Sequence, residues 1–118
     1  MALCDMSLEA IMESFPLTEP VLLILLSLAG QPRHGYSILK DVEGMSDGRV
    51  VLSTGTLYGA LRRLLDDDWI ERANEKNTSR GRQAYRLTAR GRKNLQFEVS
   101  RLKHLTRLAS LRAVTRES

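Results

Sequence analysis

Leu57, Leu61, Leu64 and Leu65 stand at i, i+4, i+7 and i+8, which puts all four on one face of an α-helix. The opposite face carries Gly55, Gly59, Arg62 and Asp66. Tyr58 lies on the border, and Thr56 and Arg63 lie on the flanks. Ser53 or Thr54 is suited to cap its start, and the helix is expected to run to about Asp67. Such a helix must bury its leucine side. Its other side is almost bare backbone at the start, so a ligand can approach closely there.

The flanking sequence supplies neighbours for it. Leu8, Ile11 and Met12 give residues 6–14 the pattern of a short amphipathic helix, ended by Phe15-Pro16 because the residue before proline avoids helical geometry. Thr18 is a good N-cap, with Pro20 tolerated in the first turn, for a helix to about Leu28 that is apolar nearly all round. Another helix is expected from His34 or Gly35 to Gly44. Ile38, Leu39, Val42 and Met45 share its core face, and Tyr36 and Lys40 lie off it. Ser46-Asp47-Gly48 reads as a turn and Val50-Val51-Leu52 as a short β-type run. Beyond the leucine helix, residues 69–73 and 83–87 read as two strands joined by a polar loop. Thr88 caps a last helix to about Val114, with Leu95, Val99, Leu102, Leu105, Ala109 and Ala113 in one stripe. Phe97, Leu108 and Leu111 form a second apolar patch roughly opposite.

Helix, helix, short strand, helix, β-hairpin, long helix is the order of a winged helix-turn-helix. The expected fold class is mainly α with a small β-hairpin, plus a long C-terminal dimerisation helix. Residues 1–16 would be an arm or short helix, 17–88 the winged domain and 89–118 the dimerisation helix. The last helix is too long and too apolar to serve only its own small domain, so Leu95, Val99, Leu102, Leu105 and Ala109 are expected to make a homodimer. At 118 residues the chain has room for one domain and a small core.

Charge is divided along the chain. Residues 1–70 carry a net −5 and residues 71–118 a net +9. A basic half suits a polyanion, and nucleic acid is the commonest such partner. In this order the leucine helix enters the major groove. The hydroxyls of Ser53, Thr54 and Thr56 and the first-turn N–H groups suit a phosphate. Arg62 and Arg63 can reach phosphate or guanine. Lys76, Arg80 and Arg82 make the hairpin tip a basic wing suited to phosphate contact.

Other classes find less support. The single cysteine, Cys4, cannot build an internal disulfide or a four-ligand zinc site and points to a reducing compartment, so a cytoplasmic location is expected. The longest apolar stretch, residues 21–29, is far short of the roughly 20 residues a membrane span needs. No basic targeting segment is seen at the start, where the charges are Asp5, Glu9 and Glu13. No catalytic constellation, metal-ligand spacing or phosphate loop is present, so no enzyme, metal or cofactor is expected. The alternative is a winged-helix protein-interaction module without DNA binding. Such a module would expose apolar residues where this chain has hydroxyls and bases.

Three stretches resemble the PadR family of transcriptional regulators, particularly its short subgroup with a single C-terminal helix. They are residues 17–30 with Arg33-His34-Gly35-Tyr36; Gly55-Thr56-Leu57-Tyr58-Gly59-Ala60-Leu61-Arg62-Arg63-Leu64; and Tyr85-Arg86-Leu87-Thr88 with Gly91. The resemblance covers about residues 17–111. It implies a dimeric repressor that releases its double-stranded operator when a small hydrophobic or aromatic effector binds. It also implies DNA contacts from Tyr36, Ser53, Thr54, Thr56, Tyr58 and Arg62 and from the wing. Asp68 departs from the family, which often has glycine there. Aspartate tolerates left-handed geometry, so a strained but intact helix exit is expected. The acids at 66–68 would repel DNA, so that end of the helix should point away from the groove. Trp69, Phe15 and the apolar faces at 95–105 are either core or the lining of an effector pocket.

Overall fold

The computed structural model describes residues 17–73 and 83–114. The expected helix over 6–14, Phe15 and the wing-tip residues Lys76, Arg80 and Arg82 lie outside them. The chain divides into two units, Thr18–Leu95 and a second formed by Leu17 with the residues from Gln96 onward.

In the first unit, Thr18 caps α1 (Glu19–Ser27) by accepting the Val21 N–H. Ile24, Leu25 and Leu28 are at most 1% exposed, as an almost wholly apolar helix requires. Next come β1 (Arg33–His34) and α2 (Gly35–Met45), then α3 (Thr54–Asp66), β2 (Ile70–Ala73) and β3 (Ala84–Leu87). The helix α4 (Ala89–Ala109) begins in this unit and continues into the second, ending in a π-helical stretch, Ser110–Val114.

The leucine face of α3 is the floor of the core: Leu57, Leu61 and Leu64 are buried and Leu65 half-buried, while Gly55, Gly59, Arg62 and Asp66 are exposed. The helix ends as a left-handed cap. Asp68 has φ 64°, the Trp69 N–H reaches the Leu64 carbonyl, and the Asp68 N–H reaches that of Leu65. Those bonds satisfy carbonyls that a helix end otherwise leaves open, so aspartate does the work of a glycine. Thr88 then ties two elements together. Its hydroxyl donates to the Asp68 carbonyl at 2.6 Å and accepts the Gly91 N–H at 2.9 Å, capping α4. Gly91 has no room for a Cβ, which would overlap the Trp69 carbonyl.

The architecture is that of a winged helix-turn-helix, with a difference in the sheet. It has three antiparallel strands in the order β1-β3-β2, with Arg33 opposite Tyr85 and Ile70 opposite Leu87. The third strand is Arg33–His34, whereas Val50-Val51-Leu52 forms no strand. The Val50 N–H is instead taken by the Ser46 hydroxyl at 2.9 Å, and Val51 is 67% exposed. Met45, expected on the core face of α2, is exposed. Ser46 takes the inward place at that helix end, its N–H on the Val42 carbonyl and its hydroxyl on that of Glu43. The last helix, expected as α to about Val114, leaves α geometry after Ala109.

In the second unit, Glu98 is 1% exposed. It accepts the Leu17 N–H at 3.2 Å and both arms of Arg101 at 2.9 Å. The paired Arg101 guanidinium holds its carboxyl below the usual glutamate range, against a desolvation that acts the other way. No helix of the described residues is long and apolar enough to cross a membrane.

Candidate nucleic-acid interface

The face of α3 opposite its leucines holds its polar and bare positions. Ser53 caps the helix: its hydroxyl accepts the Thr56 N–H at 3.1 Å and donates to Thr56 Oγ1 at 2.9 Å. Thr54, Gly55 and Thr56 are exposed around that start, where first-turn N–H groups point out of the helix. About two turns further on, Arg62 and Arg63 are exposed. Among the described residues no ion pair holds either of them. With Gly55 and Gly59 between, the surface is low, hydroxyl-rich at one end and cationic at the other.

The exposed side of α2 carries further candidate groups. Tyr36 is 69% exposed, and Lys40 Nζ stands 5.8 Å from its ring centroid, a cation–π distance. Arg33 anchors this end of the helix, donating to the Ser27 carbonyl at 2.7 Å and to Ser37 Oγ at 3.1 Å and pairing with Asp41. Tyr58, on the flank of α3, is 45% exposed. Its phenol lies against Gly35. Burial raises the Tyr85 phenol above the ordinary tyrosine range; Tyr58 adds to this and Arg72 opposes it.

The residues expected at a dimer interface are spread along α4. Leu95 is buried within the first unit, in the single chain. In the second unit Val99 and Leu102 are half-buried, and Leu105 and Ala109 are exposed. Phe97, Leu108 and Leu111 are also exposed, at 50%, 38% and 63%.

Sequence reasoning did not find the approach of Tyr58 to Gly35, the Arg33 anchor or the Glu98 cluster. Ser37 and Asp41, four residues apart on α2, were a signal for the second. Glu98, at helical spacing from Leu95 and Leu102, was one for the third.

The profile of the Transcriptional regulator PadR-like family matches residues 23–97, which include α2, α3, the sheet and the start of α4. The chain belongs to this family. The assignment places it among regulators of transcription and not among enzymes. It is 36% identical over 85 residues to an uncharacterized 37.1 kDa protein in transposon TN4556 of Streptomyces fradiae. That match takes in 72% of this chain and 23% of the other, so the chain spans about a quarter of that relative. A PadR family transcription regulator from Clostridium difficile R20291 has the same fold, with a TM-score of 0.66 at 24% identity over 80% of this chain and 97% of that one. So does Bacillus subtilis PadR, solved in complex with operator DNA, with a TM-score of 0.58 at 21% identity over 67% of this chain and 45% of that one.

Proposed function

We propose that this PadR-family chain is a sequence-specific DNA-binding repressor that sits on an inverted-repeat operator as a homodimer in the cytoplasm. The observation that carries the reading is the outward face of α3: exposed hydroxyls at its start, two bare glycines and Arg62, backed by a buried leucine face. That is the form a helix needs to enter a major groove. Bacillus subtilis PadR in complex with operator DNA supports it, since the same fold there holds DNA.

In this reading Ser53, Thr54 and Thr56 hold phosphate at the helix start, and Arg62 and Arg63 reach base edges or backbone. Tyr36 and Lys40 meet the backbone beside them. The basic loop with Lys76, Arg80 and Arg82 grips phosphate without reading bases. A two-fold pair of chains presents its recognition helices to half-sites about 34 Å apart, or a multiple of that. A small hydrophobic or aromatic effector that releases the operator follows from the family resemblance.

The test is binding to a duplex of the protein's own upstream region against a random duplex. Arg62→Ala should weaken the specific complex by about 1–3 kcal/mol and leave the melting temperature nearly unchanged, since exposed substitutions cost about 0.5 kcal/mol or less. Arg80→Ala should weaken both complexes alike and lower the salt slope by about one for each phosphate the loop no longer neutralises. A parent protein that binds neither duplex would overturn the reading in favour of an interaction module. Loss of stability with affinity intact in Arg62→Ala would show the face of α3 to be assigned the wrong way round.

A further inference from the structure

Gly35 opens α2, and its φ is not positive, so backbone conformation does not require glycine there. Space does. A Cβ at Gly35 would lie within van der Waals overlap of Tyr58, 2.9 Å from Cζ and nearer still to Oη. Gly35 is buried, whereas its neighbour Tyr36 stands out into solvent. Tyr58 belongs to α3, one turn before Arg62. Its phenol therefore spans from the recognition helix to the first turn of the helix before it.

We infer that Tyr58 is a positioning residue: its phenol, seated in the space that Gly35 leaves free, fixes α3 against the start of α2 and so sets the spacing between Tyr36 and Arg62. This rests on the DNA-binding reading above and deepens it, because it removes Tyr58 from the groups that touch DNA and makes it the spacer between two that do. Half of the ring is exposed, yet its far end is committed to the protein. The atom that a new Cβ would strike is the tip of a side chain and not backbone. Gly35→Ala is thus answered by displacement of the Tyr58 ring, and the fold survives.

The experiment compares Tyr58→Phe, Tyr58→Ala, Gly35→Ala and the double variant Gly35→Ala with Tyr58→Phe. Affinity is measured on the upstream-region duplex and on a random duplex, and melting temperature reports folding. Tyr58→Phe should bind within about twofold of the parent, because the ring remains. Tyr58→Ala and Gly35→Ala should each lose about tenfold on the upstream duplex, the size expected of directly coupled positions. The double variant should recover part of the Gly35→Ala loss, since the atom nearest the new Cβ is gone and only the smaller overlap with Cζ remains to be relieved. A Tyr58→Phe as weak as Tyr58→Ala would put the hydroxyl on DNA and overturn the inference. So would a harmless Gly35→Ala, or a double variant no better than Gly35→Ala alone. If the parent binds neither duplex, the DNA reading falls by itself. The clamp is then judged in the free protein, where the amide resonances of Gly59 and Arg62 must shift in Gly35→Ala and return in the double variant, or it falls too.

Discussion

The helix α3 and the distal part of α4 are both amphipathic, and their apolar faces meet opposite fates. On α3, Leu57, Leu61 and Leu64 are 0%, 1% and 7% exposed. On α4, Leu105 and Leu108 are 45% and 38% exposed. Helices of this length owe most of their stability to the packing of an apolar face. α3 obtains that packing inside its own chain, which frees its polar face for a ligand. The distal part of α4 keeps Leu105 and Leu108 at the surface of the single chain, and apolar surface left exposed on a regulator suits a partner. The second unit differs in its interior too. The most deeply buried large side chains of Thr18–Leu95 are aliphatic, whereas Glu98 holds that place beyond residue 95.

The contrast breaks most sharply if the α4 face is charged. A second copy of the chain is the proposed cover for it. Leu102→Glu with Leu105→Glu should give a monomer in sedimentation. Operator affinity should fall by roughly 10²–10⁴-fold, because two linked half-sites gain that much from simultaneous engagement. The first unit should keep its melting transition. A variant that stays dimeric, or a monomer that binds the full operator as tightly as the parent, would show that the exposed leucines serve something else.

Truncation separates the two faces by a smaller margin. Leu57→Ala should cost about 2–5 kcal/mol, since it empties a fully enclosed site, and lower the melting temperature by several degrees per kcal/mol. Leu108→Ala, in chain dilute enough to be monomeric, should stay within about 0.5 kcal/mol. Denaturant melts at low and high protein concentration read both. An equal loss at the two positions in dilute solution would mean that α4 is packed within the single chain and that the contrast is false.

Much of the first unit was legible because its signals are periodic or chemical. The leucine spacing marked the buried side of α3, Thr18 and Thr88 marked helix starts, and Asp68 was expected to take the left-handed exit that it does take. The third strand was not legible. Arg33–His34 is too short to show alternation, and its partner Tyr85 lies 52 residues on. Val50-Val51-Leu52 has strand composition but no neighbour to pair with, so propensity misled where pairing decides. Gly35 looked like a helix start, and only the approach of Tyr58 explains the missing Cβ. The likeness to PadR proteins, by contrast, rests on short strings in α2, α3 and the β3–α4 junction, which sequence shows directly.

The smallest expected effect tests the polar anchor of the second unit. Glu98 is ionised, buried and bonded to the Leu17 N–H and to Arg101. Its folded pKa lies below the ordinary value of 4.5, chiefly because of Arg101. A carboxyl depressed on folding adds stability that is complete above its unfolded pKa and is lost as pH falls through the folded one. Its contribution should therefore be intact at neutral pH and disappear on acidification below about 4.5. Glu98→Gln removes the titration and keeps the shape. At neutral pH it should cost about 1.5–3 kcal/mol, the worth of hydrogen bonds to a charged group. The difference between parent and variant should then shrink as acid protonates the parent's carboxyl. The other carboxylates titrate in both proteins and cancel in that difference. A difference that stays constant from neutral pH into acid would mean that Glu98 carries no depressed titration. The second unit would then rest on apolar contacts, as the first does.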